Sequence, residues 1–364
     1  MLPHLEKTPT MPRKLKPLLA LLTAALLTSQ AAHATPPTKN SVKKTPTKTV
    51  ATAPAKKKPG AKPAAAAAPS AVAAKPTAAA GVKANPRSGA DILAQSPDSH
   101  WRGLDPENTL LMELTQGQVK GQVLIELAPR FAPLHTLNIR ALAHGGFYDG
   151  LAVVRVQDNF VAQWGDPHAD DPALAKPLGA AAPKLPAEFS VPLKGLPLAR
   201  LPDLDGWASL TGFVDGFPVA ADPKTGRAWL AHCYGTVGAG RSDAVDSSTG
   251  AELYAVIGQA PRGLDLNITV VGRVLKGMEL LASLQRGGPN MGFYEQAEQR
   301  QPIQRVRLLA DMPLEERPAL QVLRTDSETW TELLAARRNR GGWFVHNPNH
   351  LDLCGVNPPT RPAK

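Results

Sequence analysis

Apolar positions along this chain fall into many short runs with a period of two, broken by turns that contain Gly or Pro. Residues 110–114 and 119–127 predict two strands joined at Gln116-Gly117-Gln118. In the second, Val123, Ile125 and Leu127 face one side, and Leu124 and Glu126 the other. A helix is predicted from Ala132-Pro133, because Pro early in a helix gives up an N–H that has no partner there anyway. Leu134, Leu137, Ile139, Ala141 and Leu142 form its apolar side, and Gly145 closes it as the C′ residue. The run 146–167 carries the most information. Asp149-Gly150 suits a turn with positive φ, and Leu151 to Val156 form an apolar, β-branched strand interrupted by Arg155. Phe160 and Gln163 follow before a stop at Gly165-Asp166-Pro167. A buried Arg is rare unless its donors are used, so Arg155 taken alone reads as a structural salt bridge under a strand end.

Further along, residues 170–186 are Pro- and Ala-rich and predict surface loop. His232-Cys233 is no nucleophile pair, since neighbours on a strand point to opposite faces. Residues 235–240, GTVGAG, lack the Gly-Lys-Ser/Thr ending and the strand-to-helix setting of a phosphate loop. Glu252, Tyr254 and Val256 share one face of a strand. Residues 303–309 alternate as a closing strand. A C-terminal docking helix is predicted from the capping box Thr325-x-x-Glu328, with Trp330, Leu333, Leu334 and Arg337 at helical spacing and Gly341-Gly342 as the stop.

Charge and composition divide the chain. The 364 residues carry a net charge of +10, but residues 35–90 hold ten Lys and Arg87 without one acid, leaving 26 basic against 30 acidic groups over 91–364. The body is therefore not basic, and the high pI is no argument for nucleic acid. Residues 1–34 read as an export signal: basic residues at 13–16, an apolar core at 18–27, and Ala32-His33-Ala34 as the cleavage site. Met11 is an alternative start. An uncleaved anchor is the competing reading, although the apolar run is short for a membrane span. Residues 35–96, rich in Ala, Pro and Lys, form a disordered spacer whose charge also suits anionic envelope surfaces. After cleavage the protein is expected in the periplasm, or otherwise exported, with no stable membrane span. Cys233 and Cys354 are either a disulfide, as an oxidising compartment allows, or two separate buried thiols. Metal ligation by Cys alone is excluded, and no metal or cofactor is expected.

Taken together, 146–167 resembles the central signature of the cyclophilin-type peptidyl-prolyl isomerases: a Gly-Tyr-Asp-Gly turn, a strand ending in Arg-Val, then Phe, Gln and a Gly-Asp-Pro stop. Thr136, Asn138 and Leu142 match the family's first helix, and Glu188-Phe189 its acidic-aromatic segment. Residues 235–241 stand in its Gly-x-x-x-Met-Ala segment, 247–258 on its Gly-Ser-Gln-Phe-Phe-Ile strand, and 264–279 at its Leu-Asp to Gly-Met close. Val153-Val154 replaces Phe-His, Trp164-Gly165 replaces Gly-Gly, and the family's rim Trp and His fall on Gly263 and Ile268.

The resemblance implies a mainly β fold: a closed antiparallel eight-stranded barrel capped by two helices, spanning 97–312. To this are added an inserted flap at about 191–228 and a C-terminal extension, 313–364, with one helix. It implies isomerisation of X–Pro bonds in proline-containing peptides or unfolded exported proteins, by a monomer. Arg155 is the implied donor to the prolyl nitrogen, with Phe160 and Tyr254 forming the proline pocket and Gln163 orienting Arg155 or holding peptide backbone. Glu252, Gly240, Arg241 and Ile268 complete the substrate-binding set, and Glu252 either steadies Arg155 or quenches it. A non-catalytic peptide-binding or scaffold module of the envelope is the alternative, and a general holdase a weaker one.

Overall fold

The computed structural model describes residues 87–341 and 343–363. The predicted signal and nearly all of the spacer lie outside the described residues. Nine strands form the main sheet: β1 Thr109–Leu114, β2 Gly121–Leu127, β3 Ala152–Val156, β4 Val161–Gly165, β5 Thr236–Ala239, β6 Leu253–Val256, β7 Val270–Lys276, β8 Gln301–Pro302 and β9 Arg305–Leu308. Their order is β8-β3-β4-β6-β5-β7-β2-β1-β9, antiparallel throughout. Among the described residues four α-helices accompany the strands: α1 Gly89–Ala94, α2 Pro133–His144, α3 Met278–Ser283 and α4 Glu328–Arg338.

The fold is mainly β, but the sheet is open rather than a closed eight-stranded barrel. Its edges, β8 and β9, are not paired with each other. The reason lies in the chain between them. β8 has two residues, and one is Pro302, which has no N–H for a ladder. Ile303 then donates to Leu151 O (2.8 Å) beside β3, while Gln304 donates to Glu113 O (2.9 Å) on β1. One short stretch thus bonds to both edges instead of joining them in a seam.

Side-chain alternation splits the sheet into two faces. Met112, Val123, Ile125, Val153, Ala162, Trp164, Val237, Leu253 and Ala255 point into the core with Ile139, Leu142 and Leu281 from the capping helices. The helix α2 differs from its predicted face. Leu134 and Leu137 are 42% and 63% exposed, whereas His135, Thr136 and Asn138 are buried. Loop partners make the burial of Asn138 and of His135 Nδ1 tolerable. The Asn138 amide donates to Ala182 O and Thr249 O, and Glu188 accepts from the Leu134 and His135 N–H groups and meets His135 Nδ1 at 2.7 Å. Burial works to raise the Glu188 pKa, but these bonds outweigh it and hold the carboxyl below its usual range. At the other end Gly145 is the C-cap at φ −78°, and Gly146 takes the left-handed φ of 66°.

The insertion is a second antiparallel sheet of five strands, ordered Val191–Pro192, Arg227–Leu230, Phe217–Asp222, Leu210–Val214 and Ala199–Leu201. It runs to Leu230 rather than 228. Phe217, Val219 and Leu230 pack on Phe131 and Val270 of the main body. Phe213 is buried, but Trp207 is 60% exposed.

The terminal segments join in a third core, where Ile92, Trp101, Phe213, Leu323, Trp330, Leu333 and Leu353 meet. The folded body therefore begins before Pro97, with α1 capped by Ser88 and Asp91. Helix α4 buries Trp330, Leu333 and Leu334, but its N-cap is Ser327, which accepts from the Trp330 N–H. The hydroxyl of Thr325 is instead engaged by the Gly216 N–H (3.2 Å). The helix ends at Arg338 with Asn339 as C-cap. Cys354 is disulfide-bonded to Cys233.

Candidate active site

On the outer face of the sheet, four neighbouring strands align one residue each. Arg155 of β3 pairs with Gln163 of β4, Gln163 with Tyr254 of β6, and Tyr254 with Gly238 of β5. A register shift between Val153 and Arg155 turns the Arg onto this face. Gly238 is a glycine of necessity, since a Cβ there would lie 2.2 Å from the Tyr254 hydroxyl. Beside this row Val161, Tyr254 and Val256 form a small apolar cluster with the half-buried Phe160 and Ile268. The fold thus brings together Arg155, Phe160, Gln163, Tyr254 and Ile268 from β3, the turn before β4, β4, β6 and the segment before β7.

Arg155 is held on three sides. Nε donates to Met291 O (2.7 Å), one terminal nitrogen to Gln163 Oε1 (2.9 Å), and the other to Gln157 Oε1. Its guanidinium carbon lies 5.5 Å from the Phe160 ring centroid and 5.1 Å from that of Phe293. A guanidinium has five N–H bonds, so two remain without a partner among the described residues. Burial lowers the Arg155 pKa, and the Glu252 charge works against that. Arginine stays cationic under such a shift where lysine would not.

Glu252 is coupled to the same group by charge. Burial raises its pKa, while a hydrogen bond from Gln163 and the charge of Arg155 pull the other way. The folded state therefore takes up the Glu252 proton first, and stability falls as pH climbs from the ordinary Glu value, about 4.3, through the raised one. Glu252→Gln removes that loss. The variant is expected to outlast wild type in urea at neutral pH and to match it below about pH 4. Equal urea midpoints at neutral pH would contradict the raised pKa.

Gly240 and Arg241 sit at the margin. Gly240 N–H donates to Glu252 O (2.8 Å), and a Cβ there would crowd the Glu252 carboxylate at 3.0 Å. Arg241 donates to Asn267 O (2.9 Å) and to Ser242 O, and so braces the segment that carries Ile268. At Gly263 a Cβ would meet nothing within 4 Å, so the rim is open there. Gln157, Met291 and Phe293 escaped the sequence reading. Gln157 stands two residues from Arg155, while Met291 and Phe293 reach it across the isolated bridge between Arg155 and Phe293, a non-local contact with no periodic signal. Among the described residues no cluster of His, Cys, Asp or Glu could hold a metal ion, and no helix is long and apolar enough to cross a membrane.

Comparison with known proteins bears on the family of the chain. A family model described as cyclophilin type peptidyl-prolyl cis-trans isomerase/CLD matches residues 111–310. Probable peptidyl-prolyl cis-trans isomerases of Brucella suis and Brucella melitensis are each 30% identical to this chain over 189 residues, covering 50% of it and 74% of the relative. The crystal structure of cyclophilin AquaCyp293 from Hirschia baltica superposes with a TM-score of 0.59 at 25% identity, over 76% of this chain and 99% of its own. A match across more than half of the sequence, with the same fold, makes this chain a member of the cyclophilin-type peptidyl-prolyl cis-trans isomerases.

Proposed function

We propose that the chain is exported and rotates X–Pro bonds of proteins folding outside the cytoplasm, with Arg155 as the catalytic group. The observation that carries this reading is a guanidinium with two uncommitted N–H bonds beside the apolar cluster of Phe160, Val161, Tyr254, Val256 and Ile268. The uncatalysed barrier is about 18–20 kcal/mol because the amide C–N bond is partly double. No covalent bond breaks, so a catalyst has only to favour the twisted state. Twisting frees the lone pair of the prolyl nitrogen, and a donor aimed at it stabilises that state alone. The apolar cluster holds the prolyl ring while Gln163 fixes the guanidinium. Glu252 steadies Arg155 by its charge.

Exchange NMR on a short Ala-Pro peptide tests the reaction. The full chain is expected to accelerate cis–trans exchange and to leave the Ala-Ala analogue unbound. Binding without acceleration would instead make the chain a peptide-holding module. Export rests on the signal-like residues 1–34 and on the disulfide, which oxidising compartments favour. Thiols trapped at the moment of cell lysis are expected to show both cysteines blocked; two free thiols would remove that support.

A further inference from the structure

Behind Tyr254 runs a buried polar chain that the isomerase reading leaves unused. His232 Nε2 lies 3.0 Å from the Tyr254 hydroxyl, and His232 Nδ1 lies 3.0 Å from Asp265 Oδ1. The same oxygen accepts the His232 backbone N–H (3.0 Å). The second carboxylate oxygen accepts from Trp229 Nε1 (3.1 Å) and Arg262 Nε (2.6 Å), and Arg262 continues to Asp205 in a loop of the insertion (3.1 Å). The His232, Asp265 and Arg262 side chains are 0%, 7% and 3% exposed. The His232 and Tyr254 rings are nearly parallel, 13° apart.

Proton positions follow from the partners. Burial works to raise the Asp265 pKa, but the His232 side-chain bond, the Arg262 charge and the His232 N–H hold it below the usual range. An ionised carboxylate only accepts, so Nδ1 of His232 donates to it, and in the neutral imidazole Nε2 is left as an acceptor. In that form the Tyr254 hydroxyl donates to Nε2. Burial also pushes the Tyr254 pKa up, which keeps that proton in place. The ring of Tyr254 is thus fixed at both ends, by β6 and by its hydroxyl. Asp265 also stands three residues before Ile268, within the segment Arg241 braces. One carboxylate therefore ties the floor of the apolar cluster to its wall.

We propose that His232 and Asp265 are positioning residues of the isomerase: they lock the Tyr254 ring against the Ile268 wall, so that the prolyl ring seats with its nitrogen in reach of Arg155. This rests on the reading of Tyr254 as part of the proline pocket. Neither residue touches substrate.

A double-mutant cycle on the full chain tests it, with an Ala-Pro peptide as the probe. Tyr254→Phe removes only the hydroxyl, and His232→Gln removes the imidazole bridge. Each is expected to lower kcat/KM about five- to twentyfold, mainly through KM, because what changes is the seating of the ring. The double variant is expected to be no worse than the worse single one, since His232 has nothing to hold once the hydroxyl is gone. Effects that multiply would overturn the proposal. Phe160→Ala, which lies outside this chain of bonds, separates the two ideas. If it weakens peptide binding while the other effects multiply, only the positioning role fails. If it leaves binding unchanged, the pocket reading fails and the proposal with it. Should His232→Gln not fold, ¹⁵N spectra of wild type decide: Nε2 of His232 is expected to shift on peptide titration, and an unmoved signal overturns the coupling.

Discussion

Arg155→Ala is expected to lower kcat/KM for an X–Pro peptide by about 10²–10³, the loss measured when one preorganised donor to a transition state is removed. The affinity for the peptide is expected to change by less than about threefold, since ground-state binding comes from Phe160, Val161, Tyr254, Val256 and Ile268, which remain. Arg155→Lys is expected to rescue little. The guanidinium spans Met291 O, Gln163 and Gln157 and still keeps two N–H bonds. An ammonium has three donors at one point, and a buried lysine sheds its proton more readily. Folding should be spared: Arg155 is only half-buried, and its removal opens the buried Gln163 oxygen and the half-buried Gln157 oxygen to water. Exchange NMR gives the rate, and calorimetry with the same peptide gives the affinity. A variant that loses affinity and rate in equal measure would make Arg155 a binding group, and a lysine variant near wild-type rate would remove the case for the fork geometry.

The groove was legible in sequence because its pieces are local. The Asp149-Gly150 turn, the apolar run before Arg155 and the Gly165-Asp166-Pro167 stop fix a hairpin, and a hairpin of that register sets Arg155 against Gln163. Alternation then puts Tyr254 and Glu252 on the outer face and Leu253 and Ala255 inside. What was not legible depends on contacts far apart in the chain. The apolar side of α2 was misread because Asn138 and His135 find loop partners 44 to 111 residues away, and no period announces those. An open sheet looks like a closed one in sequence, because the difference rests on Ile303 and Gln304 bonding to opposite edges. The aromatic residues of the insertion said that it packs, not that it forms five strands with Trp207 left outside. His232 was set aside because its neighbour Cys233 points away. Its actual partners, Asp265 and Tyr254, are 33 and 22 residues distant.

Removal of the disulfide is expected to be the largest single loss of stability in the molecule. Cys233 and Cys354 are 121 residues apart, and on the chain-entropy account a bond across so long a loop stabilises the fold by at most about 5 kcal/mol. Reorganisation of the reduced chain lowers that figure, so Cys354→Ser is expected to lose about 3–4 kcal/mol, or roughly 5–7 °C in Tm. The location explains why the loss is global rather than a frayed tail. The bond sits in the core shared by α1, α4, the insertion strand that carries Phe213 and the terminal segment Leu351 to Val356. Release of Cys354 frees Leu351, Leu353 and Val356, and with them part of the cover over Trp330. Isomerase activity at 25 °C should survive much better than stability. The turn after His232 is held by its own bonds, from Cys233 N–H to Thr236 Oγ1 (3.1 Å) and from Thr236 Oγ1 to Ala231 O (3.1 Å), and these do not need the bridge. Urea midpoints and peptide exchange rates for wild type, the reduced protein and Cys354→Ser, measured side by side, test both halves. Unchanged midpoints would mean that the apolar contacts of the tail suffice without the bond. A loss of activity as large as that of Arg155→Ala would mean that the bridge, rather than the local turn, holds His232 behind the groove.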